Sequence, residues 1–357
     1  MLKIRVLVVD DSMFMRKLLS DLINKDPILQ VVGIAKNGLE AIDLTKKLKP
    51  DVITMDIEMP EMDGISALGE IMKHFPTPTL MVSSLTDKGA YETIRALQLG
   101  AVDFIQKPSG AISVDMFRVR EELVAKIKTA AKAPISTFNQ PIRHINEKIK
   151  KETRSIVPKT TFDQIFAIGT STGGPKALET VITALPADFL DPILVVQHMP
   201  PKFTHFLAKR LNDISNVKVT EAENNEIIQG GTVYIAPGDF HMEVRQTING
   251  YRVALNKQPH RNGHRPSVDV LYDSVAKLKK LKRHYIIMTG MGNDGAQGML
   301  KGKQEGAAST IAESEATCVV YGMPKSAIQL GCVDHVVPLH RISSKMVELS
   351  KRQNKRQ

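Results

Sequence analysis

An alternation of short apolar runs with longer segments of helical period most constrains how residues 3–120 can fold. The apolar runs have the length and composition of buried strands, and segments such as Met13–Leu22 and Tyr91–Leu99 have the period of helices. Strands and helices that alternate in this way predict a parallel, doubly wound α/β sheet of five strand–helix units. The predicted strands are Ile4–Val9, Val31–Ala35, Val52–Met55, Thr79–Val82 and Val102–Ile105.

A second series of apolar runs begins near Phe162 and predicts a second α/β domain with a parallel sheet. Helical segments such as Lys176–Leu185 and Asp269–Leu281 lie between the runs. We find no convincing sequence repeat between the halves, so their similarity is one of architecture. The predicted strands are Gln164–Ile168, Pro192–Val196, Val217–Val219, Val233–Ala236, Tyr285–Met288, Ala307–Ile311 and Val333–Val337.

Polar residues directly follow four of the first five predicted strands. In parallel α/β sheets, ligands bind at the carboxyl ends of the strands. The polar residues are Asp10, Asp11, Asp56, Ser83 and Lys107. Carboxylates that meet at one place repel each other, so either a cation binds or their pKa values rise. Carboxylate oxygens suit Mg²⁺, and Lys107 with the Ser83 hydroxyl would hold an added phosphoryl group. An acidic loop rim explains any one of these residues, but not all five together.

These residues lie in four motifs that resemble a response-regulator receiver domain: Val8–Ser12 (VVDDS), Met55–Gly64 (MDIEMPEMDG), Met81–Ser84 (MVSS) and Gln106–Pro108 (QKP). The resemblance implies that Asp56 is the phospho-acceptor, that Ser83 is the switch hydroxyl with Ser84 as its rival, and that Lys107 completes the site. It implies Mg²⁺ ligands at Asp11, Asp56 and the Glu58 carbonyl, with Asp10 acting through its charge or a bound water. Phe104 lies where many receivers place a switching aromatic, although a core phenylalanine is an equally good interpretation.

The segment Phe166–Leu178 (FAIGTSTGGPKAL) passes from an apolar run through three glycines to Pro175, which suits a helix start. Ser171 would then lie on a tight strand-to-helix turn, beside backbone N–H groups that can bind an anion or a developing oxyanion. The letters Gly169–Gly173 satisfy the nucleophile-elbow pattern G-x-S-x-G. On this segment alone a nucleophile, a phosphate loop and a plain turn all remain open.

A nucleophilic Ser171 needs a base and a group that orients the base. His198 directly follows a predicted strand, and Asp294 lies in the glycine-rich loop after another, so both are expected at the same sheet edge. The chain order Ser, His, Asp differs from that of α/β-hydrolases, which would require His335 or His340 as the base. Those two histidines are less well placed, and the geometry of a triad matters more than its order.

Four further motifs resemble the chemotaxis protein-glutamate methylesterase family (CheB), over about residues 160–350: Gly169–Gly174 (GTSTGG), Val196–Pro201 (VQHMPP), Arg265–Asp269 (RPSVD) and Thr289–Gly295 (TGMGNDG). The resemblance implies hydrolysis of glutamate γ-methyl esters on chemoreceptors, release of methanol, and deamidation of receptor glutamines. It implies Ser171 as nucleophile, His198 as base and Asp294 as orienter, with backbone N–H groups around Thr172 and Met291 as oxyanion hole.

Together the resemblances predict a receiver over 3–121, a linker over 122–160, a catalytic domain over 161–350 and a tail over 351–357. The net charge of +10 lies in the linker and tail rather than on a folded face, which favours solvated segments over a nucleic-acid surface. Ile142–Ile149 has apolar spacing that allows a short helix. Two alternatives remain: a receiver joined to a non-catalytic phosphate-binding module, and a DNA-binding regulator, although no compact basic C-terminal region favours the latter.

Bulk features predict a cytoplasmic monomer. No signal-peptide pattern or run of about 20 apolar residues occurs, and Cys318 and Cys332 lack metal or redox spacing, which fits a reducing compartment. The expected partners are chemoreceptors and a chemotaxis histidine kinase, with neither nucleic acid nor membrane insertion. The expected cofactor is Mg²⁺ at the receiver, and none for ester hydrolysis.

Overall fold

The computed structural model describes residues 3–107, 114–133 and 161–351. It divides the chain into two compact units, Met1–Ile142 and Arg143–Gln357. The predicted linker helix over 142–149, Pro108 and all but the first residue of the predicted tail lie outside the described residues. No helix in the described ranges combines the length and apolar character that crossing a bilayer requires.

The first unit is a five-stranded parallel sheet in the order β2-β1-β3-β4-β5, with helices between successive strands. This confirms the predicted fold. Its strands are β1 Ile4–Val9, β2 Leu29–Ala35, β3 Val52–Asp56, β4 Thr79–Ser83 and β5 Asp103–Gln106. Its helices are α1 Met13–Asn24, α2 Gly38–Leu48, α3 Gly64–His74, α4 Asp87–Leu99 and α5 Val114–Ala130.

Four of these helices begin at a polar side chain that accepts a hydrogen bond from a backbone N–H of the first turn, which is a strong helix-start signal. The four N-cap residues are Ser12, Asn37, Asp63 and Thr86. Since Ser12 and Thr86 are each the third residue after the end of β1 and β4, respectively, these two loops at the carboxyl edge of the sheet are short. Their polar side chains are therefore held close to the strand ends.

Helix α5 continues past residue 121, where the sequence placed the end of the receiver. Leu123 and Ile127 are fully buried, and the Lys126 ammonium donates to the Phe104 carbonyl at 2.6 Å. These contacts belong to the first unit, so the first nine residues of the predicted linker are helical and packed. Of the predicted linker, residues 134–160 lie outside the described part of the chain.

The second unit contains a seven-stranded parallel sheet in the order β14-β13-β12-β6-β7-β9-β8. This confirms the second predicted parallel sheet. Its strands are β6 Gln164–Thr170, β7 Ile193–Gln197, β8 Lys218–Glu221, β9 Thr232–Ile235, β12 Lys282–Ile287, β13 Ser309–Glu313 and β14 His335–Val337. Its helices are α6 Gly174–Thr183, α7 Phe203–Ile214, α8 Val268–Ala276, α9 Ala296–Gln304, α10 Met323–Gln329 and α11 Leu339–Lys351.

An antiparallel hairpin, β10 His241–Thr247 and β11 Gly250–Asn256, forms a separate two-stranded sheet that the sequence analysis did not predict. Its Val244 and Val253 are paired and buried, whereas Arg245, Gln246 and Thr247 are exposed. Ile248 and Asn249 form the turn, and Gly250 directly after it has a φ of 109°, in the left-handed region that favours glycine. The mixture of polar and apolar residues hid the strands from a search for continuous apolar runs.

In both sheets the strand order reverses beside the first strand of the unit. In the first unit β1 lies between β2 and β3, and in the second β6 lies between β12 and β7. In open α/β sheets, ligands bind outside the carboxyl ends of the strands at such a reversal. Ligand-binding residues are therefore expected directly after β1 and β3 in the first unit, and after β6, β7 and β12 in the second.

Candidate active site and receiver site

Ser171 directly follows β6 and lies half-buried on the turn into α6. Thr170 pairs with Gln197, so Ser171 and His198 are the next residues along two adjacent parallel strands. The Ser171 N–H donates to the Thr289 carbonyl at 3.0 Å, which ties the turn to the loop after β12. The structure thus brings the predicted nucleophile to the edge where the other two predicted residues lie.

Glycines permit this turn for two different reasons. Gly173 has a φ of 77°, in the left-handed region that side chains rarely adopt. Gly174 has ordinary torsions, but a Cβ there would lie 1.9 Å from the Gln197 side-chain oxygen. The Gln197 amide in turn donates to the Ser171 carbonyl at 2.9 Å. Gln197, which the sequence analysis did not single out, therefore fixes the turn through this hydrogen bond.

His198 pairs with Asp294 through its Nε2, which lies 2.8 Å from Asp294 Oδ2. Because Asp294 is ionised, as its pKa shows below, Nε2 carries the proton and donates it. The His198 side chain is only 6% exposed, and its Nδ1 is buried without a hydrogen-bond partner among the described residues. In this tautomer Nδ1 carries the free lone pair, so it is the atom that can accept a proton.

Asp294 lies after β12 and receives hydrogen bonds from the start of α8 and the loop before it. The Ser267 hydroxyl and the Asn262 amide each donate to Oδ1 at 2.8 Å, and the Val268 N–H donates to Oδ2 at 2.7 Å. Burial by itself raises the pKa of this carboxyl. The hydrogen bond and charge of His198, with the bonds from Asn262 and Val268, outweigh burial and hold the pKa well below its usual range.

Two of these donors were missed by sequence reasoning. Ser267 lies inside the motif Arg265–Asp269, but its role depends on the N-terminus of α8 pointing at Asp294. Asn262 lies 32 residues from Asp294 in sequence, in a polar segment that resembles an ordinary loop. No local signal in the sequence connects either residue to the carboxylate.

The two residues predicted to form the oxyanion hole flank Ser171. Thr172 is the next residue and is buried, and its carbonyl accepts the Thr289 hydroxyl at 2.9 Å. Met291 follows Gly290, where a Cβ would lie 2.9 Å from the Ser171 Cβ and 2.2 Å from the Met323 sulfur. Only glycine at 290 lets the loop after β12 approach the serine this closely.

The alternative histidines are not placed at this site. His335 begins β14, the outermost strand, which β13 and β12 separate from β6. His340 lies in α11. Neither residue follows a strand adjacent to β6, whereas His198 does.

In the first unit, Asp10, Asp11 and Asp56 offer carboxylate oxygens that all lie within 4.8 Å of one another. The Lys107 ammonium is 2.7 Å from Asp56 Oδ2 and 3.3 Å from Asp10 Oδ2. Burial, and next the charge of Asp10, raise the pKa of Asp56 to about 6, although the hydrogen bond and charge of Lys107 oppose the shift. Three crowded carboxylates with an exposed member, Asp11, fit a hydrated divalent cation.

The remaining receiver residues surround this cluster. Ser83 is buried and its hydroxyl lies 2.8 Å from the Thr93 hydroxyl and 3.2 Å from the Gly89 carbonyl, both on α4. Its rival Ser84 lies 3.1 Å from the Thr86 hydroxyl at the start of the same helix. The metal prediction concerns the Glu58 backbone carbonyl, and the Glu58 carboxylate separately pairs with Lys88 at 2.9 Å.

Phe104 is 4% exposed, and the Lys126 ammonium lies 5.3 Å from the centre of its ring. In this structure Phe104 is therefore a core residue, which was one of its two interpretations.

The fold and the site together define a serine-type hydrolase with an attached receiver. A model of the CheB methylesterase family matches residues 166–346, and a model of the response regulator receiver domain matches residues 6–114. The chain belongs to the CheB methylesterase family and is a hydrolase of that family with a receiver domain in front.

Similar proteins match along nearly the whole chain. The protein-glutamate methylesterase/protein-glutamine glutaminase of Thermotoga maritima is 49% identical, over 97% of this chain and 98% of that protein. The protein of the same name from Archaeoglobus fulgidus is 50% identical, over 96% of this chain and 97% of its own. The crystal structure of the Thermotoga maritima CheB methylesterase catalytic domain has a TM-score of 0.52 at 46% identity, and covers 53% of this chain and 100% of that domain.

Proposed function

We propose that this protein hydrolyses glutamate γ-methyl esters on methyl-accepting chemotaxis receptors, releases methanol, and also deamidates receptor glutamines. The observation that carries the proposal is the buried His198–Asp294 pair on the loops adjoining the Ser171 turn, with a proton-accepting Nδ1. The name shared by relatives that align over almost the whole chain supports the choice of substrate.

In the proposed reaction the Ser171 hydroxyl attacks the ester carbonyl carbon while His198 Nδ1 takes its proton. The carbonyl oxygen becomes an oxyanion, which backbone N–H groups around Thr172 and Met291 stabilise. Asp294 stays ionised and balances the imidazolium charge. His198 then returns the proton to the leaving methoxide, so methanol departs and an acyl-serine remains.

A water molecule completes the cycle by hydrolysing the acyl-serine, with His198 again acting first as base and then as acid. The water loses a proton to His198 Nδ1 and attacks the acyl carbon, and His198 then returns that proton to the departing Ser171 oxygen, which releases the free glutamate side chain and restores Ser171. With a glutamine side chain the leaving group is ammonia instead of methanol, and every other step is unchanged. The esterase cycle uses no metal in this proposal, since Asp294, the carboxylate that contacts the base, is committed to His198.

We further propose that a chemotaxis histidine kinase phosphorylates Asp56 and thereby activates the esterase. Asp10, Asp11, Asp56 and the Glu58 carbonyl would hold Mg²⁺, which neutralises charge on the phosphoryl group when it is bound. Lys107 pairs with Asp10 and Asp56 and would form an ion pair with the added phosphate. Ser83 would exchange its α4 contacts for the phosphate, and the packing around Phe104 would then change.

Methanol release from methylated receptor membranes tests the esterase proposal. We expect Ser171→Ala to reduce release to the uncatalysed rate, whereas Ser344→Ala, at an exposed serine of α11, should match the unaltered protein. A serine-directed covalent inhibitor should label Ser171. Methanol release by Ser171→Ala at the rate of the unaltered chain, or absence of labelling, would favour the non-catalytic phosphate-binding alternative.

Activation is tested with a small phosphodonor in the same assay. The full chain should become more active, and Asp56→Ala should not respond. A duplex-binding assay at physiological salt addresses the DNA-binding alternative, for which we expect no specific complex. The proposal keeps the expected cytoplasmic location and monomeric state, and light scattering checks the latter.

A further inference from the structure

The loop over residues 257–266, between β11 and α8, is held in place by contacts along its length. Arg265 donates through Nε to Asp239 Oδ1 at 3.0 Å, and Arg261 donates through Nη1 to Asp273 Oδ2 at 2.5 Å. His241 Nε2 lies 3.1 Å from the Pro259 carbonyl. These partners lie on α8, at the start of β10 and in the loop before β10, so the 257–266 loop is fixed by the surrounding structure.

This loop delivers two side chains to the candidate active site. The Asn262 amide donates to Asp294, as described above. The ring of His264 stacks on the ring of His198, with the ring centres 3.8 Å apart and the planes inclined by 10°. The His264 backbone is fixed by paired hydrogen bonds with Arg261, at 3.0 and 3.1 Å.

The two contacts constrain His198 in different ways. Asp294 binds one edge of the ring through Nε2, but an edge contact alone leaves the ring free to tilt about that hydrogen bond. A flat ring stacked on one face removes this freedom and also keeps water away from that face. With edge and face both fixed, Nδ1 has one orientation.

We propose that His264 is a positioning residue, which holds the His198 ring in the plane that directs Nδ1 at Ser171 and shields it from water. The proposal rests on the proposed function, since it assigns His264 a role in the same proton transfer. The stacked ring carries this role, and a ring nitrogen of His264 is not required for it. A phenylalanine at 264 should therefore serve, and a side chain without a ring should not.

Charged groups from several elements interact with Asp294, the hydrogen-bond partner of His198. Asp294 lies after β12, Asp269 lies at the start of α8, and Arg261 lies in the 257–266 loop. His241 on β10 also senses the charge of Asp294. Substitution of His264 leaves all four in place, so a change in the pH profile of the rate would report the loss of the ring.

The test compares His264→Ala, His264→Gln and His264→Phe in the full chain, with methanol release measured across the pH range in which histidine titrates. We expect Ala and Gln to lower kcat by about 100-fold with little change in KM, because misplacement of a catalytic group by ~1 Å can have that effect. The acid limb of their pH profile should also change, because loss of the stacked ring opens that face of His198 to water. Phe should restore most of the rate and the original pH profile.

His260→Ala is the matched control, since this exposed histidine lies in the same loop and should change neither rate nor profile. Unchanged kcat and pH profile in His264→Ala would overturn the proposal. So would a Phe variant as inactive as Ala, because the ring nitrogens rather than the stacked ring would then matter.

The ¹⁵N spectrum of the His198 ring separates this inference from the proposed function, because it needs no turnover. We expect one sharp set of ring ¹⁵N signals in the original protein and in His264→Phe, and exchange-broadened signals in His264→Ala, because the ring then tilts about its Nε2–Asp294 hydrogen bond. Identical spectra in all three would overturn the positioning role, even with the esterase activity established. Full activity of Ser171→Ala would instead overturn the function and leave the spectra to decide the role of His264.

Discussion

Two buried aspartates, Asp56 and Asp294, differ in acidity although both lie at the carboxyl edge of a parallel sheet. Each is 2% exposed, so burial acts on both in the same direction. Yet the pKa of Asp56 is raised to about 6, whereas that of Asp294 lies well below its usual range. Burial alone therefore does not decide the charge of a carboxyl group at these edges.

The difference lies in the neighbours. Asp294 receives hydrogen bonds from His198, Ser267, Asn262 and the Val268 N–H, all of which favour its anion. Asp56 has Lys107 as a cationic partner but also Asp10 beside it, whose charge opposes ionisation. One edge thus keeps a permanent anion, and the other keeps a crowded cluster that gains from an added cation.

The largest effect is expected when Asp294, the aspartate with many hydrogen-bond donors, is altered. Asp294→Asn should lower esterase turnover by ~10⁴-fold, because the amide presents the wrong partner to the histidine tautomer. Ser171→Ala and His198→Ala should each abolish turnover, and the double variant should be little worse, since such residues act as one unit. Methanol release measures all four variants.

The control for Asp294→Asn is Asp191→Asn, at a buried carboxyl before β7 that accepts the Ser350 hydroxyl at 2.7 Å. It should leave turnover unchanged. Near-full activity of Asp294→Asn together with loss of activity in His335→Ala would show that our base and orienter are both misassigned.

Removal of divalent metal should affect the Asp56 cluster and not the Asp294 site. EDTA should stop phosphorylation of Asp56 by a small phosphodonor, because uncompensated carboxylates repel the incoming phosphate, and added Mg²⁺ should restore it. Basal methanol release from the same sample should be almost unaffected. If chelation stopped basal hydrolysis and Mg²⁺ revived it, the division of the two chemistries between the two edges would be wrong.

A smaller effect is expected when one donor to Asp294 is removed. Ser267→Ala should lower kcat by ~10-fold, because a hydrogen bond to a charged group contributes roughly 1.5–3 kcal/mol. Ser267→Thr keeps the hydroxyl and should retain more activity. Steady-state kinetics on methylated receptor would contradict this role if Ala and Thr were equally impaired, since the lost hydroxyl would not then be the cause.

The smallest effect concerns stability and has opposite signs at the two edges. Because the folded pKa of Asp56 is raised from 3.8 to about 6, its favourable contribution is complete below about pH 4 and is lost as the pH rises through 6. Asp56→Asn should then stabilise the first unit at pH 8 by about 2 kcal/mol, at ~1.4 kcal/mol per pKa unit and with some loss of the Lys107 pair.

Asp294→Asn should destabilise the second unit at pH 8, because a lowered pKa contributes stability that is present above the unfolded pKa and lost as the pH falls. Hydrogen exchange of peptides from each unit in the full chain measures both changes. A gain for Asp56→Asn at pH 4 as large as at pH 8 would mean that charge is not its source.

Much of this arrangement was predictable from local pattern. Apolar runs near β1, β3, β6 and β12 have the strand period, and carboxyl ends of parallel strands share one edge, so the residues that follow them must meet there. That reasoning alone placed Asp10, Asp11 and Asp56 together, and Ser171 with His198 and Asp294. It also made His335 and His340 the weaker choices for a base.

What the sequence by itself determined is therefore the two parallel sheets and the residues at their edges, because hydrophobic period and strand polarity are local properties of the chain. Only the tertiary structure decided the environment of those residues. The hairpin β10–β11, the donors Asn262 and Ser267, and the stacked His264 come from a segment that is polar and irregular by itself. Their roles arise where the 257–266 loop and the N-terminus of α8 meet Asp294 and His198, a contact between residues far apart in sequence that no local pattern encodes.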